Sequence, residues 1–170
     1  APVRTKIPVN STVPAVGPAL AHEIARASGC RTAKVKVAER GQTLAEDASR
    51  LEAVRDALGP DGKLRIDANG GWSVDEAVHA IRELARFDLE YVEQPCASID
   101  ELADLRRRLP RSGLHVPIAA DESIRRAHDP YQVAERGAAD IAVLKVQPLG
   151  GVRACLEIAD RIGLPVVVSS

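Results

Sequence analysis

LRIDANGGWSVDEAVHAIRELARFDLEYVE, residues 64–93, holds one full period of the pattern on which this chain is built. Leu64-Arg65-Ile66 is a strand-like run that ends on Asp67. Ser73 follows with Glu76 three residues on, the arrangement in which a hydroxyl and a carboxylate satisfy free backbone N–H groups at a helix start. A helix is expected over 74–87. Leu89-Glu90-Tyr91-Val92 then forms a second strand, ending on Glu93. A parallel return needs a long crossover, and roughly 25 to 30 residues is the length of one β/α unit with its helix.

The same alternation extends in both directions from this stretch. Strands are expected at 6–9, 32–37, 64–67, 89–93, 116–120, 141–145 and 166–169, with helices at 18–28, 44–58, 74–87, 99–109, 130–136 and 152–162. Ser98 before Asp100 and Glu101 repeats the helix-start signal, and Gly29, Gly59, Gly137 and Gly163 fit helix stops. This is the rhythm of a parallel α/β fold. Charged residues close several of the strands, which favours a (β/α)8 TIM-type barrel, whose site collects residues from many strand ends, over a doubly wound sheet with one switch point. No glycine-rich phosphate loop follows the first strand. Seven strands are one short of closure, so the expectation is a partial barrel over residues 1–170, lacking its last strand.

Composition narrows the function classes. The chain has 170 residues, 45% hydrophobic and 28% charged, with a net charge of -1, which describes an ordinary globular chain with a sizeable core. Near-neutral charge and 2% aromatic residues provide neither an electrostatic footprint nor stacking platforms, so nucleic acid and an anionic membrane surface are discounted as partners. Cys30, Cys96 and Cys155 are odd in number and far apart, which indicates neither a disulfide framework nor a zinc site. No apolar run approaches the roughly 20 residues of a membrane span. Reduced thiols and a cytoplasmic location are expected, and nothing in the pattern assigns an oligomeric state.

The charges at the strand ends carry the chemistry. Lysine is scarce beside arginine: Lys6, Lys34, Lys36, Lys63 and Lys145 are the whole set. Lysine can be tuned into a base, whereas arginine keeps its proton. Lys34 and Lys36 are two apart on a strand and share a face, opposite Ala33, Val35 and Val37. Burial and like-charge repulsion are expected to lower a lysine pKa there, making Lys36 a candidate general base; a pair of solvated edge lysines is the rival reading. Asp67, Glu93 and Asp121 offer hard oxygen donors from three consecutive strands, suited to Mg²⁺ with Mn²⁺ as a substitute, although each alone would pass for a helix cap or a surface acid. With Lys145 across from Lys36, the set suits proton removal next to a carboxylate, and a small-molecule carboxylate substrate is expected.

Thr32-Ala33-Lys34-Val35-Lys36-Val37, Asp67-Ala68-Asn69-Gly70-Gly71-Trp72, Glu93-Gln94-Pro95, Ala120-Asp121-Glu122-Ser123 and Lys145-Val146-Gln147-Pro148-Leu149-Gly150-Gly151 resemble, in order, the motifs of the enolase superfamily, muconate-lactonizing subgroup. Within it the likeness is to actinobacterial-type members that dehydrate 2-succinyl-6-hydroxy-2,4-cyclohexadiene-1-carboxylate to o-succinylbenzoate in menaquinone biosynthesis. The resemblance implies that Lys36 abstracts the α-proton and then protonates the departing hydroxyl, that Lys145 stabilises the enediolate, that Lys34 supports the base, and that Asp67, Glu93 and Asp121 hold Mg²⁺. It also implies an N-terminal capping domain, which nothing in this chain matches.

Asn69 is expected to orient a ligand or to cap its turn, Gly150 and Gly151 to offer N–H groups to a carboxylate or to form a tight turn, and Ser169 and Ser170 to line a succinyl pocket. Trp72 is read as packing, the four histidines as surface or structural, and Arg106-Arg107-Arg108 as a solvated helix face. Two other readings stay open. One is racemisation of N-acylamino acids or epimerisation of dipeptides, and the other is an inactive piece that binds metal or a complementary chain.

Overall fold

A computed structural model describes residues 5–169. Seven strands, β1 Ser11–Val13, β2 Thr32–Lys36, β3 Lys63–Asp67, β4 Leu89–Glu93, β5 Ile118–Ala120, β6 Ile141–Lys145 and β7 Val166–Ser169, form one all-parallel sheet in sequential order. Six helices, α1 Pro18–Ala27, α2 Leu44–Leu58, α3 Val74–Leu84, α4 Ile99–Arg111, α5 Asp129–Glu135 and α6 Val152–Arg161, make the crossovers. The sheet is a curled half-barrel, as the barrel reading expects.

Local chemistry explains where the elements begin. Thr43 with Glu46, Ser73 with Glu76 and Ser98 with Glu101 all form reciprocal capping boxes, at the starts of α2, α3 and α4. The Thr43 box is an addition to the two read from sequence. Gly29, Gly59, Gly137 and Gly163, the expected helix stops, all have left-handed φ. The first strand is a correction. It lies at Ser11–Val13 rather than 6–9, because Pro8 supplies no ladder N–H, and Ile7 and Val9 are left exposed. Pro117 likewise delays β5 to Ile118. The helix expected to end at Phe87 is α only to Leu84, and its last turn tightens to a 3₁₀ helix at Ala85–Phe87 before Asp88 turns left-handed. α4 runs past the expected end at Leu109 to Arg111, and its last turn tolerates Pro110 because proline's locked φ is helical.

The two faces of the sheet are filled differently. Outward-facing Ala33, Val35, Leu64, Ile66, Val92 and Ile118 are fully buried against helix residues such as Leu51, Ile81, Leu102 and Leu105. Each large aliphatic side chain buried this way contributes about 1.5–3 kcal/mol. The inner face holds a small apolar cluster of Tyr91, Ala119 and Val143, with Ile141 and Val167 packed against it and Arg65 stacked over the Tyr91 ring at 4.7 Å. Lys34, Lys36, Asp67, Glu93 and Lys145 stand on the same face toward the carboxyl ends of the strands.

Among the described residues, β1 pairs only with β2 and β7 only with β6. A cleft of about 1180 Å³ opens between these margins, with Thr12, Lys145 and Ser169 on its wall. Val166 and Val168 on β7, and Val152 and Leu156 on α6, are exposed along the same margin. Among the described residues no helix is long and apolar enough to cross a membrane.

Candidate active site

Register brings the charges together. β2 pairs Lys36 with Asp67, and β3 pairs Asp67 with Glu93, so these three stand in one row on the inner face. Asp121 follows the last residue of β5, and Lys145 ends β6 opposite Ser169. Asp67, Glu93 and Asp121 are almost completely buried, at 0%, 1% and 4% exposure. Buried carboxylates of this kind require partners, since an uncompensated interior charge costs several kcal/mol, on the order of 3–5.

Lysines supply the partners. Lys36 Nζ donates to Asp67 Oδ2 at 2.6 Å and to Asn69 Oδ1 at 2.7 Å. Lys34, one pleat below, donates to Glu93 Oε1 at 2.5 Å and lies 3.0 Å from Asp67 Oδ2. Lys145 Nζ is 2.7 Å from Asp121 Oδ1 and donates to Oδ2 at 2.8 Å. The side chains of Lys36 and Lys145 remain 29% and 27% exposed, against 15% for Lys34. Lys36 and Lys145 are therefore partly open to solvent while still holding a carboxylate, and Lys145 lines the cleft.

The protonation equilibria follow from this pairing. Burial alone would push Asp67 up, but the Lys36 hydrogen bond and the Lys34 charge hold it below the usual carboxylate range. Burial alone would lower Lys34, and the Glu93 charge and hydrogen bond, with Asp67 behind them, raise it instead. For Lys34 this reverses the sequence expectation of a lowered lysine, because its ammonium is paired with two carboxylates. Glu93 is pushed up to about 7 by burial and by the negative charge of Asp67, which Lys34 only partly offsets and Asp121 reinforces.

A family model described as "Enolase C-terminal domain-like" matches residues 18–168. The chain belongs to the enolase C-terminal domain-like family. An o-succinylbenzoate synthase of Thermobifida fusca is 67% identical over 170 residues, covering 100% of this chain and 52% of that protein. One from Mycolicibacterium smegmatis is 56% identical over 172 residues, covering 100% and 51%. The chain thus spans about half the length of the curated relatives it matches. Among solved structures, a dipeptide epimerase from Enterococcus faecalis V583 superposes with a TM-score of 0.84 at 29% identity, covering 96% of this chain and 47% of that one. The L-Ala-D/L-Glu epimerase of Bacillus subtilis superposes with 0.80 at 32% identity, covering 95% and 46%.

Within this enolase-type sheet, the donor set fits a hard cation by its chemistry. It consists of oxygen atoms from three adjacent strand ends. Asp121 Oδ1 is buried with no aligned hydrogen bond. Among the described residues, no three acidic, histidine or cysteine side chains are arranged around a common point, because the carboxylates are turned onto the lysines.

The remaining predicted residues fall as follows. Asn69 is left-handed at φ 46 and donates its N–H to Asp67 Oδ1 at 3.1 Å, so Asp67 caps the turn, while the Asn69 amide bridges Lys36 to Glu122, donating to the latter through Nδ2 at 2.8 Å. The N–H groups of Gly150 and Gly151 close their own turn onto Gln147 O and Val146 O, which matches the tight-turn reading. Ser169 shares the cleft wall with Lys145. Ser170 lies outside the described residues. Trp72 packs against the core, as expected. Arg106 is a correction. It is not merely solvated: it chelates Asp140, whose carboxylate also accepts the Ile118 N–H, and it holds Gly137 O.

Two residues escaped the sequence reading. Arg50, 2% exposed, donates to Val16 O, Lys36 O, Asp47 Oδ1 and Gln42 Oε1, tying the loops after β1 and β2 to the lysine-bearing strand end. Its only sequence signal was an acidic residue three positions earlier, which any exposed helix pair would share. Gln94, fully buried, appeared only inside the Glu93-Gln94-Pro95 motif.

Proposed function

We propose that this chain supplies the catalytic barrel of an o-succinylbenzoate synthase, a lyase that dehydrates 2-succinyl-6-hydroxy-2,4-cyclohexadiene-1-carboxylate in menaquinone biosynthesis. The observation that carries the proposal is the 67% identity to a synthase across all 170 residues, against 29% to the dipeptide epimerase. Asp67, Glu93 and Asp121 are the residues that would hold Mg²⁺, or Mn²⁺ in its place. A divalent ion there supplies Lewis-acid stabilisation of negative charge developing on a substrate carboxylate.

The chain's own side chains do the proton work. Neutral Lys36 takes the proton α to the carboxylate, and the C–H electron pair moves into the carboxylate as an enediolate. Lys145, on the wall of the cleft, donates to that developing charge. When the electron pair returns to form the ring double bond, the C–O bond breaks and Lys36 delivers its proton to the leaving hydroxide. Water departs, the ring becomes aromatic, and Lys36 is neutral again. Lys34 stays protonated between Glu93 and Asp67 and keeps positive charge beneath the base.

Epimerisation of a dipeptide is the second reading, favoured by the 0.84 superposition on a dipeptide epimerase and by the two partly exposed lysines. A single assay separates them. The full protein is given the cyclohexadiene substrate with Mg²⁺ or with EDTA, and o-succinylbenzoate is followed by absorbance. Metal-dependent product formation is expected; no product, together with exchange of the α-proton of a dipeptide into deuterated water, would replace the synthase by the epimerase.

A further inference from the structure

Gln94 lies one residue past Glu93, is completely buried, and has φ 36, a left-handed conformation that residues other than glycine rarely adopt. Every hydrogen-bonding position of its amide is used. Oε1 accepts from the N–H groups of Asp121 at 2.9 Å and Ser123 at 3.1 Å, while Nε2 donates to Cys96 O at 2.8 Å and Ser123 Oγ at 2.7 Å. The flipped amide would set two donors against two N–H groups, so the neighbours dictate its orientation. Its backbone is equally committed: the N–H donates to Ala119 O at 2.8 Å, and the carbonyl accepts the Gly70 N–H at 2.7 Å.

The turns that follow Asp67, Glu93 and Asp121 therefore all meet on this one residue. A buried amide costs stability unless fully satisfied, and a leucine of similar size would fill the same space without that demand. Here full satisfaction coincides with a strained backbone beside the site, a pairing expected where geometry rather than stability is held.

We propose that Gln94 is a positioning residue for the cation site: it fixes the Asp121 turn against the Glu93 and Asp67 turns, so that the three carboxylates are presented at one spacing. Gln94 touches no reacting atom and acts through the backbone of the residues that would. The inference rests on the reading of Asp67, Glu93 and Asp121 as the cation-holding set.

The test is Mn²⁺ binding by electron paramagnetic resonance, without substrate, on the full protein and on Gln94→Leu, Ser123→Ala and the core control Leu105→Ala, each with a thermal melt. Gln94→Leu should lose about 10- to 100-fold in Mn²⁺ affinity, the range found when groups supporting a metal ligand are removed. Ser123→Ala, which loses only the hydroxyl, should shift affinity in the same direction by less. Leu105→Ala should melt lower and bind Mn²⁺ as the wild type does. Wild-type affinity in Gln94→Leu, or equal losses in Gln94→Leu and Leu105→Ala at matched folded fraction, would overturn the positioning role alone. If Gln94→Leu does not fold, an unshifted Ser123→Ala overturns it. No Mn²⁺ binding by the wild type would overturn both this inference and the cation site beneath it.

Discussion

At the amino ends of the strands, Arg55 and Arg106 grip the backbone; at the carboxyl ends, three lysines grip carboxylates, with Arg50 tying backbone there. Arg55 alone donates to the carbonyls of Gly59, Gly62, Phe87 and Asp88, lashing the turns that lead into β3 and β4, and Arg106 does the same work ahead of β6. These contacts are half-exposed and involve one charge each against neutral oxygen or a surface acid. The opposite rim buries Asp67, Glu93 and Asp121 with Lys34, Lys36 and Lys145, and it bends Ala38, Asn69 and Gln94 into left-handed φ within two residues of those groups. Buried ion pairs are weak contributors to stability, and left-handed non-glycine residues cost stability outright. Among the described residues the carboxyl rim gathers the buried charge and three left-handed non-glycine residues, against one, Asp88, at the amino rim, and it is where a site is expected in a sheet of this kind.

The contrast makes graded predictions. For the proposed synthase, Lys36→Ala should cut o-succinylbenzoate formation by the full protein by at least about 10³-fold, as loss of a proton-transfer group does, while leaving Mn²⁺ affinity nearly unchanged. Steady-state kinetics beside a metal titration checks both halves, and a comparable loss in the two would take Lys36 out of the proton-transfer role. Asp121→Asn should act in the other order, weakening Mn²⁺ by about tenfold or more and lowering turnover most at limiting metal. Restoration of full activity by excess metal would sharpen its assignment as a ligand.

On the amino rim the expected effects are thermodynamic. Arg55→Ala should cost about 1.5–3 kcal/mol in urea unfolding with unchanged turnover per folded molecule, because it strands carbonyls at two turns far from the chemistry. A fall in kcat at constant folded fraction would break the division between the rims. The smallest effect is set by pH. Glu90 is raised by burial but brought below the ordinary glutamate range by hydrogen bonds from Lys63 and Arg65, so its contribution is present above that range and is lost as pH falls through its folded pKa. Glu90→Gln should therefore destabilise by under about 1 kcal/mol at neutral pH, with the difference from wild type closing in acid. A gap that persists or widens in acid would mean packing rather than charge.

Much of this architecture was legible one residue at a time. Ser73 and Ser98 announced their helices because a capping box is a local, reciprocal exchange of hydrogen bonds, and Lys34 with Lys36 declared a shared face because side chains alternate along a strand. What misled was also local. Ile7 and Val9 look like strand residues, and only the absence of a ladder donor at Pro8 moves β1 onward. Arg106 sits in a run of three arginines that reads as solvated, yet one of them meets Asp140 thirty-four positions away. Arg50 and Gln94 could not have been singled out, since their roles lie entirely in which distant carbonyls and N–H groups surround them.

Composition, periodicity and motif order by themselves determined that the chain is a parallel β/α sheet and which six charged residues would gather at its carboxyl rim, because strand alternation and β/α spacing depend on near neighbours. Only the tertiary structure decided how those charges pair, that Lys34 is raised rather than lowered, and that Gln94 joins three turns. Register and burial set those outcomes, and both arise when strands far apart in sequence pack side by side and exclude water.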